Sequence, residues 1–401
     1  MGQRDMTTEL PLRGVRVLDL SRVLAGPWCG MVLGDLGAEV IKIEHPRRGD
    51  DTRDWGVRAD DTRTAYFNSA NRNKRSVGID LQTPAGQELA LSLASRCDVV
   101  IQNFRFGGAE KLGLGHAQVR AVKPDVVYCS ISGYDRTGAE AARPGYDLVI
   151  QGETGLMSIN GEQGQRPLKF GMAVVDLFTG MYAAQAVMAA LFDRQRTGSG
   201  RHVELALYDC GLMISAYCGL EALLNERDPP RYGNSHPSIV PYGVFEAQDG
   251  PLVITVGNNA QFQRFCRDVI ERPDLAGDER YATNTSRTAH RQALLEQLVP
   301  EIAARSRGLL LERLCEAEIP CGEVLGLLDA LQSERTASGG LLTPRADGVG
   351  SVFAPPYRLD GGRPEVRLAP PSLGEGTRDV LGGLLGLDAE ALEALARQQV
   401  I

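Results

Sequence analysis

Residues 14–44, GVRVLDLSRVLAGPWCGMVLGDLGAEVIKIE, hold one complete βαβ unit. Gly14–Leu20 is a β-branched run suited to a strand. Gly26-Pro27 then opens a helix, with proline at the favoured first position, where its missing N–H is no loss. Gly37 closes that helix, and AEVIKIE at 38–44 reads as the next strand. Further strands are expected at Asp98–Ile101 and Asp125–Ser130, together with a helical segment at Pro84–Ala94. Strands joined through helices run parallel, so the class is α/β, with a Rossmann-like parallel sheet wrapped by helices.

The pattern continues with a long helix at Leu177–Phe192, the turn RTGSGRH and a strand at His202–Leu207. Ala183, Ala184, Ala186, Ala189 and Ala190 make that helix small-sided, so a neighbouring element can approach closely. Asp228–Pro241 is rich in Pro and Gly and reads as a linker. Val244 to about Leu325 holds a hairpin-like pair around AQDG and then helices, which makes a smaller α+β domain. Pro344–Pro371 has little periodicity, and two short helices end the chain. With 401 residues the chain exceeds what one core fills. The expected division is 1–225 as the large domain, 226–330 as the small one, and 331–401 returning to complete the large one.

Several function classes fall away on composition. A formal charge of -8 without a Lys/Arg stripe argues against a nucleic-acid partner. The segment Met181–Phe192 is short, Ala-rich and interrupted by Gln185, so it reads as a core helix and no membrane partner is expected. The opening MGQRDMTTELPLRG lacks a signal-type apolar core and reads as a loose tail, and the location expected is cytoplasmic. Eight scattered cysteines without CxxC or metal spacing read as buried reduced thiols, and no metal is expected. The chain has no GxSxG, HExxH or Walker A pattern, and SRVLAGP follows the first strand where a nicotinamide site would have GxGxxG.

Asp176 ends RPLKFGMAVVD and stands directly before the expected helix. A carboxylate there serves as an N-cap for the free N–H groups. The same ionised, oriented carboxylate could also attack an activated acyl carbon. The residues alone leave both readings open.

Longer motifs favour the second. RGVRVLDLSRVLAGPWCGMVLGDLGAEVIKIEHP, NRNKRSVGIDL, VVIQNFRFGGAEKLGLG, VYCSISGYDRTG, PGYDLVIQGETGLM, VVDLFTGMYAAQAVMAALFDRQRTGSGRHVELALYD and GNNAQFQRFC follow one another in order. In this order they resemble the signatures of the family III CoA transferases, the formyl-CoA transferase or CaiB/BaiF family, from Leu12 nearly to the C-terminus. The resemblance implies that Asp176 is the catalytic aspartate, forming a mixed anhydride and then an aspartyl-CoA thioester, with coenzyme A as substrate and covalent intermediate. It implies an interlocked-ring homodimer, and acyl-CoA and carboxylic acids as the small-molecule partners.

Matching positions suggest Val23, Ala25, His45, Ile79, Asn103, Phe104, Arg105 and Lys111 for CoA, with Arg47 and Arg48 near enough to supply phosphate contacts. Read singly, Arg105 and Lys111 fit solvated surface charges better than ligand contacts. Tyr146 and Asp147 match residues beside the reacting carboxylate. The related α-methylacyl-CoA racemases have a proton-shuttling histidine at the tyrosine position, which argues against racemisation here. Gly257, Asn258, Asn259 and Gln261 match the active-site loop, or else form a strand-to-helix turn with Asn caps. GNSHPSIVPYGVFEAQDG is similar to the succinyl-CoA:glutarate transferases, and Leu24 replaces the glutamine of oxalate-using formyl-CoA transferases. A C4–C6 dicarboxylate is therefore the expected acceptor and succinyl-CoA the expected donor, with Arg22, Arg75, His236 and Ser238 as candidates for the distal carboxylate.

Overall fold

A computed structural model of the chain describes residues 10–345 and 350–401, so residues 1–9 of the expected tail lie outside the described residues. Two compact units are present, the first comprising residues up to Leu156, Lys169–Leu223 and Glu334–Ile401, the second Met157–Leu168 and Leu224–Ser333.

The first unit is built on six strands, β1 (Arg16–Asp19), β2 (Glu39–Glu44), β3 (Lys74–Gly78), β4 (Val99–Gln102), β5 (Val127–Ser132) and β6 (His202–Ala206). Their order is β3-β2-β1-β4-β5-β6, and every neighbouring pair is parallel. Val17 of β1 pairs with Val40 on one side and Val99 on the other. The chain thus winds outward in both directions from a switch point between β1 and β4, where open α/β sheets form a crevice beyond the strand ends. Because side chains alternate across a strand, Val17, Val99 and Ile101 enter one core, with the helices Ala25–Asp35 and Val174–Thr197. Leu18, Val100 and Tyr128 enter the other, with Pro84–Ala94 and the terminal helices Thr377–Leu385 and Ala389–Arg397.

Strand β3 had no counterpart among the expected strands. Its sequence, KRSVG, is mostly polar, yet Lys74 and Ser76 are buried. Burial is tolerated because each polar group is satisfied. Lys74 Nζ bonds Asp19 Oδ2 at 2.8 Å and the Pro27 carbonyl at 2.7 Å, and Ser76 Oγ bonds Glu44 Oε1 at 2.6 Å.

The helix expected at Leu177–Phe192 runs from Val174 to Thr197, and by length and composition it could cross a membrane. Here Ala183, Ala184 and Val187 are buried against the sheet and the helix Ala25–Asp35. Gly180 permits that approach, since a Cβ there would stand 2.6 Å from the Ala25 carbonyl oxygen. Pro27 falls third in its helix, not first, and is tolerated because the early N–H groups of a helix lack intrahelical acceptors.

In the second unit, β7 (Tyr242–Ala247), β8 (Gly250–Thr255) and β9 (Cys321–Glu323) form an antiparallel sheet in that order. Leu252, Ile254, Phe262, Phe265, Leu294 and Leu298 fill its core. A last hairpin in the first unit pairs β10 (Leu342–Pro344) with β11 (Ser351–Phe353). Three cysteines depart from the expected burial, for Cys218 and Cys321 are half-buried and Cys315 is exposed, its Sγ 3.9 Å from that of Cys321.

Candidate active site

A cavity of about 650 Å³ opens at the C-terminal ends of the parallel strands. Its wall takes Leu20–Ala25 after β1 except the buried Ser21, Ile43–His45 at the end of β2, Asn103–Phe106 after β4 and Ile131–Gly133 at the end of β5. This is the crevice that the strand order creates.

The loops after β1 and β4 are stitched together across the switch point. The Arg22 N–H donates to Asn103 Oδ1 at 2.9 Å, and Asn103 Nδ2 donates back to the Arg22 carbonyl at 2.8 Å. Val23 follows at φ +69°, a left-handed conformation that costs a β-branched residue about 1–3 kcal/mol. Its N–H is shared between the two carboxylate oxygens of Asp50, each 3.3 Å away. Asp50 is buried and paired with buried Lys42 at 2.8 Å. Burial opposes its charge, but the Lys42 cation and the donors from Lys42 and Thr52 outweigh that and hold its carboxyl below the usual range. The Lys42 ammonium also donates to the Ser21 carbonyl at 2.8 Å. A buried ion pair in the cavity lining thus fixes the strained loop.

Asp176 is half-buried and reaches the same cavity. The expectation that it stands directly before its helix is corrected. The helix begins at Val174 after Ala173, which places Asp176 in the first turn, and the cap comes from elsewhere. Asp147 Oδ1 accepts the N–H of Val175 at 2.8 Å and of Asp176 at 3.1 Å. With the free donors satisfied by a carboxylate from another helix, the Asp176 side chain is released from capping. Among the described residues it has no hydrogen-bond partner. Burial first, and then the charge of Asp147, push its carboxyl up to about 7. A carboxylate so raised is more basic than usual and lacks competing donors, which suits attack on an acyl carbon.

Tyr146 and Asp147 are positioned by a close approach of backbones. A Cβ on Gly145 would stand 2.7 Å from the Gly133 Cα, so the loop before Tyr146 can lie against the end of β5 only as glycine. Tyr146 is exposed and lines the cavity, whereas Asp147 sits behind it as the cap.

Of the residues suggested for CoA, Val23, Ala25, His45, Ile79, Asn103, Phe104, Arg105 and Lys111 all line the cavity, as do Arg22 and Leu24. His45 Nδ1 accepts the backbone N–H groups of Arg47 and Arg48, so it shapes that turn. Arg48 lines the cavity and Arg47 does not. Arg75 does not line it either. The guanidinium lies 3.7 Å from Glu39 and 3.5 Å from Asp379, where neighbouring carboxylates engage it.

Gly257, Asn258, Asn259, Gln261, His236 and Ser238 belong to the second unit. There Asn258 caps the helix Asn259–Arg264 by accepting the Gln261 N–H at 2.9 Å, and the Gly257 N–H donates to Gln261 Oε1 at 2.8 Å. Asn259 Oδ1 accepts from Arg287, and His236 Nδ1 accepts the Ser238 N–H at 3.1 Å.

Three residues escaped the sequence reading. Asp50 lies in a charged GDD run that looks like solvated loop, and Gln151 sits in a helix as an unremarked polar residue. Tyr66 comes from the short helix Ala65–Ala70, edge-on to Trp55 at 5.7 Å. Burial, followed by the charges of Asp176, Asp147 and Asp50, pushes its phenol up to about 12, so it keeps its proton beside the carboxylates. The one available signal was the buried lysine of β2, whose charge demands an acid nearby.

Comparison with known proteins agrees with this geometry. Residues 12–377 match the family model described as CoA-transferase family III. The chain is 41% identical over 338 residues to succinate–glutarate CoA-transferase of Agrobacterium fabrum, covering 82% of this chain and 84% of the relative. It is 38% identical to succinyl-CoA:glutarate CoA-transferase of Mus musculus, covering 100% of this chain and 92% of the relative. Among solved structures, a CaiB/BaiF family protein from Brucella suis superposes with a TM-score of 0.84 at 38% identity, covering 94% of this chain and 100% of that one. A switch-point cavity holding an uncapped aspartate thus meets a sequence match over most of the chain, and the protein belongs to CoA-transferase family III.

Proposed function

We propose that this enzyme moves CoA from succinyl-CoA to a C4–C6 dicarboxylic acid of the glutarate type through a thioester on Asp176. The observation that carries the proposal is the Asp176 carboxylate, raised in basicity, free of capping and facing a cavity of about 650 Å³. One Asp176 oxygen attacks the thioester carbon, the C–S bond breaks, and CoA leaves as thiolate from a mixed anhydride. The thiolate then attacks the side-chain carbonyl carbon of Asp176 and expels the donor acid, which carries away one Asp176 oxygen. The acceptor acid reverses both steps and restores that oxygen. Arg48, Arg105 and Lys111 gather cations on the cavity wall to meet CoA phosphates, and Arg22, which lines the cavity while paired with Asp51 at 3.2 Å, is the cation that would exchange that partner for the far carboxylate. Leu24 presents an apolar wall that favours a methylene chain over oxalate. The Tyr146 phenol, in place of an imidazole, gives no base suited to a racemase.

A homodimer of interlocked rings is part of the proposal, as is a cytoplasmic location. Supporting the second copy are Leu212, Met213, Tyr217, Leu220 and Leu223 of the first unit, large apolar side chains exposed along the consecutive helices Leu207–Ile214 and Ala216–Asn225. Light scattering tests this, and a monomer speaks against it.

A panel of glutarate, itaconate, mesaconate, malate and oxalate with succinyl-CoA, read by chromatography of the CoA esters, tests the substrate. The expected result is a preference for glutarate-like acids that disappears in Asp176→Ala. No CoA ester from any acid, or a preference for oxalate, contradicts it.

A further inference from the structure

We propose that Asp147, oriented by Gln151, is a positioning residue that drives Asp176 toward its CoA-bound form by presenting a fixed negative charge to it. The inference rests on the reading of Asp176 as the nucleophile and adds what sets the balance between its free and acylated states.

Three N–H donors converge on the Asp147 carboxylate. Oδ1 takes the backbone N–H groups of Val175 and Asp176, and Oδ2 takes Gln151 Nε2 at 2.5 Å. Gln151 is 1% exposed and is itself fixed from the other side, where Oε1 accepts the Phe170 N–H at 2.9 Å. Its amide orientation follows, with the NH2 group toward Asp147. The carboxylate therefore cannot swing away from Asp176. A simple cap does not need this, because Ser, Thr or Asn would cap as well without placing a second anion beside the first.

The value of that anion appears when charge is followed through the reaction. In the ionised form that attacks, Asp176 is an anion, whereas its thioester is neutral, and the displaced succinate carries the charge into solution. Repulsion from Asp147 thus raises the free energy of the unacylated enzyme and leaves the acylated one untouched. The groups facing Asp176 are Asp147, from the helix Asp147–Glu153, and the protonated Tyr66 phenol, from the helix Ala65–Ala70. Tyr66 keeps its proton and adds no charge, so Asp147 is the group that tilts the balance.

The test compares intact protein with Asp147→Asn, which retains an oxygen for the two backbone donors but removes the charge. Each is equilibrated with succinyl-CoA and succinate, quenched, and the ratio of CoA-bound to free enzyme measured by intact mass. The expected ratio falls about tenfold in Asp147→Asn, the change equivalent to one pKa unit, and the pH midpoint of acyl transfer moves down. Gln151→Met, as a second variant, should lower kcat with KM for succinyl-CoA unchanged, because Asp147 is no longer held. An unchanged ratio and midpoint in Asp147→Asn overturn this inference while leaving Asp176 as nucleophile. Intact protein that never acquires CoA overturns both.

Discussion

Replacing Asp176 by Asn should make the protein more stable, and by an amount that depends on pH. The native carboxyl is raised from 3.8 to about 7 by burial and by Asp147. At about 1.4 kcal/mol per pKa unit the ceiling on the penalty is roughly 4 kcal/mol. Asp176 is half-buried, and screening by water brings the expected figure to about 1–2 kcal/mol. Since the native pKa lies above the unfolded one, the folded state holds a proton that the unfolded chain has released. The penalty is therefore absent below about pH 4, grows between about pH 4 and 7 and is complete above. Asparagine has the same shape and no charge, so it removes the penalty and leaves the Asp147 cap in place. Thermal unfolding followed by circular dichroism should show Asp176→Asn raising Tm by about 2–4 °C near pH 8, and by about a third of that near pH 5. An equal shift at both pH values, or destabilisation near pH 8, would refute the argument that this carboxylate is held against its own preference.

If the ionised form of Asp176 is the nucleophile as proposed, kcat/KM for acyl transfer should rise with pH through about 7 and level off above, and a flat profile from about pH 5 to 9 counts against the assignment. Asp50→Ala should cost about 3–5 kcal/mol in urea denaturation, since it strands the buried Lys42 ammonium and frees the strained Val23 N–H. A loss under about 1 kcal/mol would mean that the pair does not hold the loop. Arg48→Ala and Lys111→Ala should each raise KM for succinyl-CoA several-fold with kcat nearly unchanged, the signature of lost ground-state binding. A fall in kcat alone would place them elsewhere in the reaction.

Much of the parallel sheet was legible because its strands are apolar runs bounded by glycine, as in GVRVLDL and AEVIKIE. The strand β3 was not, for its KRSVG becomes a strand only after Asp19 and Glu44 arrive from distant positions to pair its polar side chains. The same logic separates the site residues. Asp176 and the cavity wall could be placed from motifs, since each contributes an unusual side chain at a strand or helix end. What surrounds the Asp176 carboxylate could not. Asp147 stands 29 positions away in sequence from the N–H it caps at Asp176, and its orientation depends on Gln151, whose polarity carries no local signature. The boundary of the helix, read one turn too late, moved for the same reason, because a cap supplied by a different helix leaves no trace in the residues around it.

The claim that reaches furthest is that a bond forms between the Asp176 side chain and the sulfur of CoA. Succinyl-CoA added without an acceptor, followed by hydroxylamine and peptide mass spectrometry, reads it directly. Conversion of Asp176 to the hydroxamate, and of no other carboxylate, is the predicted result. An unmodified Asp176 in protein that transfers CoA at full rate would contradict the account.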